Sequence, residues 1–209
     1  MKSQFLGIFL IVLVFVPSVF SQQRAEMTLS LNDAFFDAVL ESVFQNFDPP
    51  SFPIKEEKTS GCDESIKVLR EMNGVRTAVR FREGKVFVPL AFSGHYSAPF
   101  VGCLEFAGWA ETNIDLEFDR DGQRLVGRAH VLNVNLNGTG GVGGGMIAST
   151  LQSAIDKKIN PIEIMKLDSI SFTFPIRSTG NLRMRAVAVR PEVTNGQLNL
   201  VITYEFLKG

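Results

Sequence analysis

The stretch FVGCLEFAGWAETNIDLEFD, which begins at Phe100, alternates apolar and polar side chains along most of its length. Its even positions from Phe100 to Phe118 carry apolar residues, glycine or threonine, whereas every odd position from Glu111 onward is acidic or an amide. This alternation predicts a β-strand with one buried face, several times longer than the usual strand of about 5 to 6 residues. At about 3.3 Å per residue it would span roughly 60 Å, so we expect it to bend, and Gly102 and Gly108 are the positions where it can.

The neighbouring segments predict that residues 66–136 form antiparallel strands. The sequence DRDG, residues 119–122, predicts a turn, and RLVGRAHVLNVNLN then returns as the partner of the long strand. The apolar residues of this partner shift from odd to even positions near His130, which predicts a β-bulge there. Further strands are expected over residues 168–206, where alternate residues again form apolar faces: Ile170, Phe172, Phe174 and Ile176 in one strand, and Leu198, Leu200, Ile202, Tyr204 and Phe206 in the last.

Two segments predict amphipathic helices. The first is expected over residues 30–47, with Ser30 as its N-cap and two prolines beyond its end. Its apolar residues recur every four positions in two adjacent rows, a stripe wide enough to be buried against a sheet: Phe35, Val39, Val43 and Phe47, and Phe36, Leu40 and Phe44. The second helix is expected over residues 146–159. Two helices are too few for a βαβ fold, so the prediction is an α+β fold in which a long, strongly curved antiparallel β-sheet wraps around two amphipathic α-helices.

The N-terminal segment predicts a secretory signal peptide over residues 1–21. It has a basic Lys2, an apolar core, a Pro17 breaker and a plausible cleavage site after Ser21. Its apolar stretch is shorter than the roughly 20 residues that a membrane-spanning helix needs, which disfavours the alternative of a retained anchor. The expected mature chain is a single α+β domain over residues 22–209, exported to the periplasm or the extracellular space.

Cys62 and Cys103 are the two cysteines of the chain. An exported location permits a disulfide between them, which would stabilise the fold by about 3 to 4 kcal/mol. Two free thiols are the alternative. A thiol nucleophile is disfavoured because neither cysteine has a suitable basic neighbour in the sequence.

Charge and aromatic content restrict the class of partner. The 21 basic and 22 acidic residues nearly balance, which argues against a nucleic-acid partner. The chain has 18 Phe but 2 Tyr and 1 Trp, so its aromatic residues supply apolar area with few polar groups to satisfy, and we expect a wide apolar interior. Arginines share strand faces in two places, either as a solvated face or as a patch for peripheral contact with an anionic membrane: Arg76, Arg80 and Arg82, and Arg183 and Arg185.

Gly138, Gly140 and Gly143 match the spacing of a dinucleotide-binding motif, G-x-G-x-x-G, directly before the second predicted helix. That motif needs a buried parallel strand before it and an acidic residue at the end of the next strand. Here the preceding strand has an antiparallel pattern, and Glu163 follows the end of the helix instead. The interpretation is a flexible segment that leads into a helix, and no cofactor is expected.

The other candidate chemistry is weak. His95 and His130 lie 35 positions apart without a metal-binding motif, so neither is expected to bind a metal or to act as a base. The sequence has no G-x-S-x-G elbow, and the turn at residues 119–122 lacks the distant acidic residue of a calcium loop. Asn137 begins a glycosylation sequon. We therefore expect a protein that is not an enzyme, with no catalytic residues and no metal site.

An N-terminal helix with a broad apolar stripe (AFFDAVLESVFQNF), very long bent strands and a second helix before the last strands together resemble one module of the tubular lipid-binding (TULIP) superfamily. The resemblance implies a long sheet around helices, with an elongated apolar cavity for acyl chains and no catalytic residues. The positions that would line this cavity are Phe36, Leu40, Phe44, Phe106, Ile114, Phe172 and Phe174.

Two functions from different classes follow. The first is an exported, non-enzymatic protein that binds a lipid or another apolar small molecule in this cavity. The alternative is a structural or protein-interaction module of the cell envelope, with a packed core, no ligand and an envelope protein as its partner. The two differ in whether the Phe-rich faces surround a void or fill it.

Overall fold

The computed structural model describes residues 23–53, 62–98, 102–137, 144–177 and 180–209. Strands dominate this part of the chain, and two α-helices and one short 3-10 helix lie between them. In chain order the elements are β1 (Arg24–Asn32), α1 (Asp33–Asn46), β2 (Ser51–Pro53), β3 (Ser65–Leu69), β4 (Glu71–Met72), β5 (Val75–Arg76), β6 (Arg80–Arg82), β7 (Lys85–Ala98), β8 (Gly102–Asp119), β9 (Arg124–Leu136), α2 (Gly144–Lys158), β10 (Ile162–Lys166), the 3-10 helix (Leu167–Ile170), β11 (Phe172–Ile176), β12 (Gly180–Thr194) and β13 (Gln197–Lys208).

The strands form two curled antiparallel sheets and a small separate hairpin of β4 and β5. The first sheet has the order β1-β13-β12-β11, and the second has the order β10-β9-β8-β7-β3-β2 with β6 also paired to β7. The expected fold class, a curved sheet wrapped around two helices, is therefore wrong. The structure is mostly β: the two sheets pack against each other, α2 packs against the second sheet, and no residue of α1 is buried.

The long alternating strand is confirmed as β8, which pairs with β7 on one side and β9 on the other. Pairing with β9 shifts register between Glu111 and Thr112, so that Leu132 is the extra residue of a bulge, close to the position predicted. At Gly108 a Cβ atom would lie 2.1 Å from the carbonyl oxygen of Asn135. This close approach of β9 requires a glycine, and it explains why the alternation is interrupted there.

The inter-sheet core lies between the first sheet and the part of the second sheet formed by β6 and the first residues of β7 and β9. Tyr204 is fully buried in it, and its hydroxyl donates a hydrogen bond to the carbonyl oxygen of Ile170 at 3.0 Å. Burial raises the pKa of the Tyr204 hydroxyl. The buried members come from both sheets and the 3-10 helix: Phe81, Val86, Leu125, Leu167, Ala186, Val189, Leu198, Leu200, Ile202 and Tyr204.

A second cluster, the helix core, lies between α2 and the part of the second sheet formed by β3, the middle of β7 and β8, and the second half of β9. Among the described residues, the pairing of β10 with β9 ends at Gly127, and two amide side chains bond to the backbone of β9 beyond this point. Asn160 accepts from the N–H of Ala129 at 2.8 Å and donates to its carbonyl at 2.9 Å, while Gln152 accepts from the N–H of Val131 at 2.7 Å. The buried members are Ile66, Phe92, Ala110, Ala129, Val134, Leu136, Leu151 and Ile155.

The first helix differs from its prediction in both its start and its burial. Residues 24–32 form an edge strand, so Ser30 is not the N-cap, and Asn32 caps α1 by accepting a hydrogen bond from the N–H of Phe35 at 2.9 Å. No residue of α1 is buried. The helix lies at the surface of the sheets, which is why the sheet cannot be described as wrapped around it.

Candidate functional site

The three predicted lining residues on α1, Phe36, Leu40 and Phe44, are half-buried on the side of the helix that faces the sheets. The ring of Phe36 lies 5.3 Å from that of Phe81 in an edge-to-face contact at the border of the inter-sheet core. The ring of Phe44 lies 5.9 Å from the guanidinium of Arg70. This row attaches α1 to the sheets.

The remaining predicted lining residues fall in two other places. Phe106 packs in the helix core with its ring 6.1 Å from that of Phe92, and Ile114 contacts both cores. Phe172 and Phe174 lie on β11, an edge strand of the first sheet, where their rings are 6.4 Å apart. The seven residues thus occupy three sites and do not converge on one cavity among the residues described.

The β11 face, defined by six apolar side chains at one end of the first sheet, is an apolar surface that stays partly exposed. Phe172 pairs with Met184, Met184 pairs with Phe206, and Phe174 pairs with Leu182, so these side chains point to the same side of the sheet. Phe172, Phe174 and Ile176 are 44%, 47% and 47% exposed, and the others are half-buried. The six members are Phe172, Phe174, Ile176, Leu182, Met184 and Phe206.

Four of these six residues were missed as site residues, although their pattern was available. Ile176 and Phe206 were placed on apolar strand faces, and Leu182 and Met184 alternate with charged residues in the sequence NLRMR. Alternation identifies which residues share a face, but only the pairing of β11, β12 and β13 shows that these faces join and remain uncovered.

The opposite face of the same strands carries a compact charge cluster around Glu205. The carboxylate of Glu205 is 5% exposed and accepts hydrogen bonds from Arg24 at 2.6 Å and from Arg185 at 2.8 Å. The hydrogen bonds from Arg185 and then Arg24 hold the pKa of Glu205 below its ordinary value. The cluster connects three neighbouring strands, because its members lie on β1, β12 and β13.

Arginines attach α1 to the second sheet and its hairpin. Arg70 donates to Glu41 at 3.0 Å, and Arg76 lies 3.4 Å from the same carboxylate. The hydrogen bond from Arg70, followed by that from Gln45, lowers the pKa of Glu41. Nearby, Arg80 donates to Asp37 at 2.9 Å. Two of the three arginines in the predicted lipid patch are thus engaged with α1, and the third, Arg82, lies over the ring of Phe87 at 4.3 Å.

A cleft of about 600 Å³ lies where the turn between β8 and β9 meets β12, near the shift in register between Ala186 and Ala188. Its lining mixes apolar side chains such as Phe118 and Val187 with the charged residues Glu26, Arg120 and Arg190. A neighbouring cleft of about 510 Å³ surrounds the turn itself and is mostly charged. These mixed linings are less suited to an acyl chain than the β11 face is.

The turn between β8 and β9 is stabilised by Asp119. Its carboxylate accepts from the N–H of Gly122 at 3.0 Å and from Arg124 at 2.9 Å, and these two hydrogen bonds, in that order, lower the pKa of Asp119. Arg124 also donates to Glu163 at 3.2 Å, and the two carboxylates raise the pKa of the Arg124 guanidinium. The predicted hairpin turn is confirmed, and its acidic residue serves the turn.

The histidines lie apart. His130 is 3.4 Å from Asp115 on the outer side of the second sheet, and His95 borders a small cleft with Lys67 and Ser93. Within the portion of the chain that is described, no three His, Cys, Asp or Glu side chains are grouped as metal ligands. Glycines 138–143 and the predicted signal peptide lie outside the described residues. Asn137 is exposed, and its side chain accepts a hydrogen bond from Asn73.

Cys62 and Cys103 form the predicted disulfide, with their Cα atoms 5.4 Å apart. The bond joins the residues just before β3 to the beginning of β8. A disulfide fits an exported protein. Neither of the helices in the described ranges is long and apolar enough to cross a bilayer.

Comparison with known proteins gives no family assignment: no protein-family model matches the chain, and no curated protein matches its sequence. The resemblance to the TULIP superfamily therefore stays a prediction.

Proposed function

We propose that the chain is an exported, non-enzymatic protein that binds a lipid acyl chain or a similarly apolar ligand along the β11 face. The observation that carries this proposal is a group of six adjacent apolar side chains on one face of three paired strands, of which three are exposed and three are half-buried. Single exposed apolar residues are common on protein surfaces, but a contiguous patch is typical of an interaction site.

The ligand is expected to lie on the face rather than in an enclosed void, because buried side chains occupy both the inter-sheet core and the helix core. Each methylene that a ligand buries there contributes about 0.8 kcal/mol. Half-exposed Phe rings supply large apolar area at low conformational cost, which suits a flexible chain of methylenes. The disulfide supports export, and the signal peptide over residues 1–21 is the expected means.

Displacement of a fluorescent fatty acid tests the proposal. Wild-type protein should bind cis-parinaric acid and release it when palmitate is added. A Phe172→Ser/Phe174→Ser variant should bind at least about 10-fold more weakly, because each ring removed takes away apolar contact worth about 1 kcal/mol or more. The matched control is Leu132→Ser, which changes an apolar residue that is 54% exposed on β9.

Each outcome of the displacement assay leads to a different conclusion about the ligand and its site. Specific loss in the β11 variant, with Leu132→Ser unchanged, supports the site. Absence of parinaric acid binding by wild type, together with purified protein that yields no lipid on organic extraction, would refute an apolar ligand. Equal loss in both variants would place the ligand elsewhere.

A second candidate, a protein-interaction module of the cell envelope, is favoured by the outer row of α1. Phe35, Val39 and Phe47 are exposed on a helix that already has its inner row against the sheets. An amphipathic helix with a free apolar row can dock into a groove of another protein. A photo-crosslinker placed at Val39 should then capture one defined envelope protein in the native compartment, whereas a crosslinker at the exposed Asp121 should not. A monomer without a captured partner argues against this candidate.

A further inference from the structure

We propose that the β11 face is a membrane-docking site, at which the hairpin of β11 and β12 and the end of β13 contact an anionic lipid surface. The inference rests on the proposed function and deepens it, because it assigns the apolar ligand to a lipid with an anionic headgroup in a bilayer. The alternative occupants of the face are a soluble fatty acid alone or a second copy of this chain.

Charge is the first argument. The strands β11 to β13 and their turns contain two acidic residues, Glu192 and Glu205. Glu205 is engaged by Arg24 and Arg185, and Glu192 pairs with Arg190 toward the opposite end of β12. The strand ends beside the β11 face therefore carry a basic excess.

Position is the second argument. Lys208 pairs with Leu182, so its side chain lies on the β11 face beside the row formed by Phe174 and Leu182, whereas Arg183 pairs with Thr173 and points to the opposite face. Lys208 is exposed, and the exposed Arg177 follows β11 directly. Cations beside an apolar surface match a bilayer, where headgroup phosphates lie above the acyl chains.

The edge of β11 argues against a second copy of the chain as the occupant. An exposed edge strand can pair with another chain through its free N–H and C=O groups, but Pro175 lies in the middle of β11 and has no N–H to donate. A proline at this position opposes edge-to-edge pairing. It leaves the apolar side chains of the strand accessible to lipid.

Vesicle binding by the full-length mature chain tests the proposal. Sedimentation with phosphatidylcholine vesicles that contain about one third phosphatidylglycerol should recover the protein, and vesicles of phosphatidylcholine alone should not. Raising the ionic strength from about 0.1 M to about 1 M, which shortens the Debye length from about 10 Å to about 3 Å, should release it.

The variant Lys208→Gln should weaken partition to the anionic vesicles roughly 5-fold, the factor that one basic residue near such a surface contributes. Lys85→Gln is the matched control, because it removes the same charge from an exposed lysine of the second sheet. Equal binding by both variants, or equal binding of wild type to neutral and anionic vesicles, overturns the proposal.

Insertion is measured with a tryptophan at position 174. In a Trp109→Phe background, the Phe174→Trp fluorescence should shift to the blue with anionic vesicles and be quenched by brominated acyl chains, whereas Leu132→Trp should respond to neither. Quenching at both positions, or at neither, contradicts docking through the β11 face.

Comparison with the fatty acid assay separates this inference from the proposed function. Binding of parinaric acid without vesicle binding defeats the docking inference and leaves the apolar-ligand function in place. Vesicle binding without parinaric acid binding defeats the soluble-ligand function instead. Self-association on size-exclusion chromatography that is abolished by Phe174→Ser, with no vesicle binding, would identify the face as an interface between copies of the chain.

Discussion

The two helices share an amphipathic pattern but are attached to the sheets by different physical means. Leu151, Ala154 and Ile155 of α2 are buried, and its Gln152 bonds directly to the backbone of β9. In contrast, α1 buries no residue and is attached through half-buried rings and through carboxylates that pair with arginines of the other elements. The difference shows that periodicity predicts that a helix forms, whereas burial depends on which surfaces the strands leave open.

The largest effect should come from shortening a buried side chain of α2. Leu151→Ala should lower the free energy of unfolding by about 3 kcal/mol, because Leu151 is 3% exposed and its removal leaves a cavity. Val39→Ala on the outer row of α1 should change it by less than about 0.5 kcal/mol. Urea denaturation of the two variants measures the contrast, and equal losses would mean that α1 is buried as deeply as α2.

The next effect tests the contact of β9 with the side chain of Asn160, which lies two residues after the end of α2. Asn160→Ala leaves the N–H of Ala129 without its side-chain partner, and its carbonyl keeps only the longer hydrogen bond from Gln152 at 3.3 Å, so we expect a loss of about 1 to 3 kcal/mol. Hydrogen exchange of the Ala129 amide should accelerate in the same variant. An unchanged rate at Ala129 would show that another group protects this edge of β9.

A smaller and salt-dependent effect is expected for α1. Screening weakens ion pairs at the surface more than it weakens apolar burial, so raising the salt concentration should accelerate amide exchange in residues 33–46 and leave residues 148–158 unchanged. Glu41→Gln should reproduce this effect at low salt, since it removes the carboxylate shared by Arg70 and Arg76. Salt-independent exchange in α1 would assign its attachment to Phe36 and Phe44 instead.

The smallest effect concerns acid. The pKa values of Glu41 and Glu205 lie below their ordinary value of 4.5, so below this pH the unfolded chain binds more protons than the folded chain. The stabilisation is present above pH 4.5 and decreases as pH falls through the folded pKa values. Denaturation midpoints measured at several acidic pH values should fall with pH, and Glu205→Gln should make this dependence shallower. A midpoint that rises on acidification would contradict the assignment.

The parts of the fold that were predicted correctly depend on local sequence. The alternation of β8, the turn stabilised by Asp119 and the buried row of α2 are each encoded within a short stretch. The start of α1 was predicted wrongly, although Met27, Leu29 and Leu31 alternate with polar residues in the pattern typical of a strand. These residues form a strand because they pair with β13, and no local signal in the sequence encodes a partner so distant in the chain.

The seven predicted lining residues do not lie together. Phe172 and Phe174 lie on the proposed β11 face, whereas the expected lining residues on α1 and in the second sheet belong to other surfaces. Exposure decides which apolar faces remain available to a ligand, and exposure depends on the packing of whole sheets. A sequence pattern gives the face of a strand but not what covers it.

The pairing of β1 with β13 has a consequence for the order of events during biosynthesis. Arg24 and Glu205 are 181 positions apart, yet they are neighbours across this pair. At a translation rate of about 5 to 20 residues per second, β1 waits roughly 10 to 40 s for its partner after it leaves the ribosome. Throughout that interval an unpaired apolar strand needs protection from aggregation, which a chaperone that keeps exported chains unfolded until translocation is complete would supply.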